Sequence, residues 1–173
     1  MTETTEAPST LHPCSVALGA LKPETGWLGR GDQATLRRSD PSKPGCKPLY
    51  VFLAELERLN KKGTLTFLPS TKIDNEIHWH TLLACLCRVS HGDASLGQAL
   101  ADANYHEQRL ERLLQADADS LPRELDRAAR FLEVKGQNVN TYHIFDLLFK
   151  QDKDTVRRQI ARTYYAHIHS NKH

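Results

Sequence analysis

The sequence is poor in the features that usually announce an enzyme. It has no glycine-rich phosphate-binding loop, and its acidic residues are scattered along candidate helices beside arginines rather than gathered as metal-ion catalysis requires. No serine or cysteine stands in a local pattern with a histidine base. These absences argue against catalysis. The four cysteines, Cys14, Cys46, Cys85 and Cys87, fit no zinc or redox spacing. Cys85 and Cys87, two apart on a candidate helix, point about 200° apart and share no ligand face. All four read as buried, reduced thiols. His78 and His80 flank Trp79 without a further ligand at helical spacing, so they read as core histidines, and neither a metal nor a cofactor is expected.

Long apolar runs are missing too. None approaches the length of a bilayer span, and the Thr-, Glu- and Pro-rich start carries no cleavable signal, so no membrane partner and a cytoplasmic location are expected. Strong net charge is also absent. At +2 the chain is no histone-like binder, and any attraction to a polyanion has to come from where its cations sit.

What the chain does have is helical periodicity. Residues 1–12 lack it and read as a flexible leader; residues 13–173 read as a single all-α domain of about seven helices, in two helical halves that meet near 116–121. A short helix is expected over 32–38 with Asp32 as its N-cap, ending before the proline-rich connector of Pro41, Pro44 and Pro48. Leu49, Phe52, Leu53, Leu56 and Leu59 then recur at three- and four-residue intervals over 47–60. The segment 74–89 is apolar nearly all round, which marks a central helix. Further helices are expected over 95–101, 104–116, 121–135, 141–151 and 154–169, and residues 64–68 could extend locally.

Arginines recur on these helices, and a guanidinium presents a flat fork of donors that fits phosphate oxygens. At 100° per residue, Leu121, Leu125, Ala128 and Leu132 share one side of their helix while Arg123, Arg127 and Arg130 fall on the other, beside Glu124 and Asp126. The last helix puts Val156, Ile160, Tyr164 and His167 together and lines Arg158, Arg162 and Tyr165 along another face, with Arg157 at the edge of the core. Lys153 opens that basic stretch. Arg30, Arg37 and Arg38 form a third basic site, and Arg109 and Arg112 a fourth that is expected to pair with Glu107 and Glu111. No recognition helix of a helix-turn-helix is legible, so phosphate contact without base reading fits better.

Four stretches in order, Gly31 to Ser39, Ala94 to Ala101, Glu107 to Ala116 and Arg157 to Tyr165, give the chain a resemblance to the CasB family, the small subunit of the type I-E CRISPR surveillance complex Cascade. The resemblance implies a non-enzymatic, all-α protein with a basic surface, present as two copies in the complex. Its implied partners are the guide RNA, the target DNA with its displaced strand, a second copy of itself, and the other Cascade subunits, including the backbone and large subunits. Base pairing would then supply sequence specificity. By position, Arg37 and Arg38, Arg109 and Arg112, and the stretch from Lys153 to Arg162 match basic positions of the family; the ridge Arg123, Arg127 and Arg130 rests on the helical projection. A helical adaptor whose basic faces meet acidic proteins is the alternative.

Overall fold

The computed structural model describes residues 9–172, and the all-α class holds. Among the described residues there are nine helices where about seven were expected: α1 Pro13–Ala20, α2 Arg30–Arg38, α3 Lys47–Lys61, α4 Ile73–Leu86, α5 Leu96–Asp102, α6 Glu107–Gln115, α7 Leu121–Val134, α8 Thr141–Phe149 and α9 Lys153–Asn171. None is long and apolar enough to cross a membrane.

Helix α1 escaped the sequence reading because its buried face is made of Cys14, Ala17 and Ala20, small side chains that leave no strong apolar stripe. Its first turn is capped by the His12 Nδ1, which accepts the Cys14 N–H at 3.0 Å. Leu11 and His12, assigned to the leader by sequence, are therefore held in the fold. Leu11 donates its N–H to the Thr64 carbonyl at 2.7 Å and accepts the Thr66 N–H at 3.0 Å, which fixes 64–66 as a short extended piece. Residues 1–8 of the expected leader lie outside the described residues. Helix α2 begins two residues earlier than expected. Gly29 is its N-cap, and the Asp32 carboxylate reaches back to accept the Gly29 N–H at 3.2 Å.

Helix α4 is central, as its all-round apolar surface demanded. It packs against α1, α2, α3, α7 and α8, and its Trp79 is fully buried against Phe149, with ring centroids 4.4 Å apart. The indole N–H is satisfied by the Ser70 carbonyl at 2.9 Å. His80 lies in the same core, with Nε2 2.6 Å from the Ser39 hydroxyl, and His78 packs near Phe149. One hydrophobic cluster runs from Cys14 to Tyr164, and α4 meets α7 across the 116–121 segment.

The most extensive helix–helix contact joins α5 to α9. Gly97 makes it possible: a Cβ there would lie 2.3 Å from the Ile160 carbonyl oxygen and 2.9 Å from the Tyr164 nitrogen. The buried Tyr164 closes this layer by donating its hydroxyl to the Tyr105 carbonyl. Helix α9 thus packs between α5 and α8.

Candidate nucleic-acid interface

Helices α6 and α7 bury Leu110 and Leu113, and Leu121, Leu125, Ala128 and Leu132, which leaves their arginines at the outer edge of the α6–α7 contact. A groove of about 560 Å³ results, lined by Tyr105, Arg109, Arg112, Glu124, Arg127, Arg130, Phe131 and Val134. Phe131 forms part of its floor. The Tyr105 ring meets it edge-on at 5.1 Å, and the Arg109 guanidinium and Lys135 ammonium stand 5.9 and 5.6 Å from its centroid.

The expected pairing of Arg109 and Arg112 with Glu107 and Glu111 does not occur. Residues one or two apart on a helix do not face each other; Arg112 Nε instead donates to the Gln108 carbonyl at 3.4 Å, and neither arginine has an ion pair among the described residues. On α7 the reverse holds. Arg127 binds the nearly buried Glu124 at 2.9 Å and Arg130 binds Asp126 at 2.7 Å, each leaving part of its guanidinium exposed. Arg123, 3.9 Å from the same Glu124, turns away from the groove toward a second one of about 480 Å³ that holds Asp40, Asp117, Asp119 and Asp126. The Ser42 and Ser120 hydroxyls, followed by their backbone N–H groups, hold the Asp40 and Asp117 carboxyls below the usual range, so that groove is anionic at neutral pH. Two of the three ridge arginines thus join Arg109 and Arg112, and Arg123 does not.

On α9, Arg158 and Arg162 line a shallow groove of about 550 Å³ with Thr155, Gln159, Thr163 and Ala166, and neither makes an ion pair among the described residues. Tyr165 lies elsewhere. Its ring is edge-on to Tyr164 at 5.1 Å, and its hydroxyl pKa is raised by partial burial and then by the charges of Glu107 and Glu111, which places it over the α6 side. The cleft between α6 and α9 carries those two glutamates. Lys153 is half-buried. Its ammonium pKa is lowered by burial and then by Arg157, and its charge in turn depresses the already desolvated His78. Arg157 sits at the edge of the core, as projected, and donates to the Ala116 carbonyl at the end of α6.

The α2 arginines separate. Arg30 and Arg38 are exposed, with Arg38 Nε on the Ala34 carbonyl at 3.2 Å and no ion pair for either among the described residues. Arg37 is tied to the fold: Nη2 donates to Glu133 Oε1 on α7, and Nη1 to the Cys87 carbonyl at 3.2 Å. Beside it stands a residue the sequence reading missed, Arg88, whose side chain is only 7 % exposed. It reaches Glu133 Oε2 at 3.2 Å and Asp126 Oδ1 at 3.4 Å, and donates to the Arg37 carbonyl. Its one sequence signal is an arginine directly after a helix that is apolar all round. Burial pushes the Cys14 and Cys87 thiols up to about 12 and raises Cys85 as well, so these three thiols are protonated at neutral pH.

The sequence model of the family CRISPR-associated protein Cse2 matches residues 32–165. No curated protein sequence matches the chain. Two solved structures share the fold. CasB from Thermus thermophilus is 21 % identical, with a TM-score of 0.63 over 90 % of this chain and 99 % of that one. CasB from M. ruber is 16 % identical, with a TM-score of 0.59 over 83 % of this chain and 88 % of that one. Matched along most of its length and folded as these two proteins are, the chain belongs to the CRISPR-associated Cse2 family, that is, the CasB family of type I-E Cascade small subunits.

Proposed function

We propose that this chain is a non-catalytic, sequence-nonspecific nucleic-acid-binding subunit of its CRISPR complex, and that it steadies guide RNA, target DNA and the displaced strand through arginine–phosphate contacts in the cytoplasm. Family membership makes it a subunit of a CRISPR complex. The observation that carries the finer reading is the groove between α6 and α7, where Arg109, Arg112, Arg127 and Arg130 converge beside Phe131 and the first two have no carboxylate partner among the described residues. Arg158 and Arg162 supply a second surface of the same kind on α9, and Arg30 and Arg38 add exposed cations on α2. Nothing in either groove resembles a base-reading helix, which suits a subunit whose complex reads sequence through its guide. A second copy of the chain and the backbone and large subunits are its proposed protein partners.

Binding of this kind releases counterions, so affinity falls linearly with salt on logarithmic axes. Replacing Arg109 and Arg112 by alanine should lower the slope by about 1.8 on duplex DNA or about 1.4 on a single strand if each meets one phosphate. Arg158→Ala with Arg162→Ala should do the same. Fluorescence anisotropy across a salt series measures both. An unchanged slope and affinity in both pairs would remove the reading and favour the adaptor, which has one observation on its side: the α7 ridge partly satisfies Arg127 and Arg130 with its own Glu124 and Asp126.

A further inference from the structure

We propose that Arg88 is a positioning residue that sets how much positive charge Arg37 and Arg130 offer a bound strand; the proposal rests on the nucleic-acid reading above. Arg88 itself is too enclosed to reach a ligand, its side chain being 7 % exposed where the chain leaves α4. Its contacts all go to the supports of exposed arginines. Nη1 holds Glu133 Oε2 at 3.2 Å while Glu133 Oε1 accepts from Arg37. Nε stands 3.4 Å from Asp126 Oδ1 while Asp126 Oδ2 accepts from Arg130 at 2.7 Å. Nη2 donates to the Arg37 carbonyl and so fixes the end of α2 as well.

The five charges therefore run in alternation, Arg37, Glu133, Arg88, Asp126, Arg130, with a formal balance of +1. Without the central guanidinium, two carboxylates would face two exposed arginines and the balance would fall to zero. Arg88 competes with those two arginines for both carboxylates, which leaves Arg37 and Arg130, 44 % and 56 % exposed, with charge to spare for phosphate. Only arginine suits the place. It keeps its proton when desolvated and donates in two directions, to Glu133 and to the Arg37 carbonyl, while its charge faces Asp126, whereas lysine is a single point of charge that burial readily neutralises.

A charge series on the full-length protein tests this, read as anisotropy of a labelled single-stranded DNA at low salt. Glu133→Gln raises the balance by one and should tighten binding about twofold, and Arg88→Met should weaken it about twofold, the worth of roughly one unit charge about 8–10 Å away in water. The double variant restores the balance of +1 and should return to wild-type affinity. A purely structural role for Arg88 predicts that the folded double variant stays as weak as Arg88→Met. The proposal is overturned if Glu133→Gln leaves affinity unchanged or lowers it, or if the folded double variant stays as weak as Arg88→Met. Should Arg88→Met not fold by circular dichroism, Arg88→Gln, which removes the same charge, takes its place in the series. Wild-type protein that fails to bind would overturn the nucleic-acid reading and this proposal together; wild-type binding with a flat series overturns this proposal only.

Discussion

Gly97→Ala offers a sharp test of how α9 is held. The added methyl would lie 2.1 Å from the Thr163 hydroxyl oxygen, 2.3 Å from the Ile160 carbonyl oxygen and 2.9 Å from the Tyr164 nitrogen. Ordinary non-bonded contacts sit near about 3.5 Å, so the helices would have to part by about 1 Å. Rotating Thr163 relieves only the first clash, because the other two atoms are α9 backbone. Alanine favours a helix over glycine by roughly 1 kcal/mol, but overpacking a tight contact costs about 1–3 kcal/mol and more where backbone must move. The net expectation is a loss of about 2 kcal/mol, or roughly 4–8 °C in Tm for a chain of this size. Thermal melting followed by far-ultraviolet circular dichroism reads it. Gly31→Ala is the internal control: a Cβ at that helical position meets nothing within 4 Å, so the same change should be neutral or stabilising. A Gly97→Ala protein that melts at or above the wild type would refute the close α5–α9 approach.

The remaining predictions concern pH, capping and binding. Burial lowers the pKa of His12, His78, His80 and His143 from the ordinary 6.5, so between the lowered values and 6.5 the unfolded chain holds more protons and stability rises with pH. That contribution is complete above 6.5 and lost as pH falls below it. Tm should therefore drop between pH ~7.5 and ~5.5, well above the range where carboxylates titrate; a flat or rising Tm over that interval would contradict it. His12 and His143 add a local cause, since their Nδ1 atoms accept the Cys14 and Leu96 N–H groups at 3.0 and 3.1 Å and protonation ends both bonds. Asn140 caps α8 by accepting the Tyr142 N–H at 3.1 Å, so Asn140→Ala should cost about 1 kcal/mol in urea unfolding, with an unchanged midpoint counting against the cap. Because the two grooves share no lining residue, combining the Arg109/Arg112 and Arg158/Arg162 alanine pairs should add their effects on binding free energy; strong non-additivity would mean the two grooves act as one.

Much of the fold could be read from sequence, and the exceptions have definite causes. The stripes on α3 and α7 and the all-round apolar α4 are visible because burial imposes its period on large side chains. Helix α1 was invisible because alanine and cysteine bury well without marking a stripe. Asp32 was read as an N-cap because cap and third-position acids both favour a helix start, and only the Gly29 contact separates them. Tyr165 and Lys153 stand apart from the arginine grooves for a different reason. A projection fixes the angle of a side chain about its own axis, and it is silent on which neighbouring helix stands there. For Tyr165 that neighbour is α6 with its glutamates, and for Lys153 it is the region around His78 and Arg157.

By itself, the sequence determined that this chain is all-helical, which face of each main helix is buried, and that arginines stand on several of the opposite faces. These are local consequences of spacing along the chain. Tertiary structure decided which arginines are free. Arg37 meets Glu133 across 96 residues and Arg88 meets Glu133 across 45, so neither pairing has any trace in local pattern. Arg109, Arg112, Arg158 and Arg162 make no ion pair among the described residues, and the groove that the first two line exists only where α6 and α7 pack side by side.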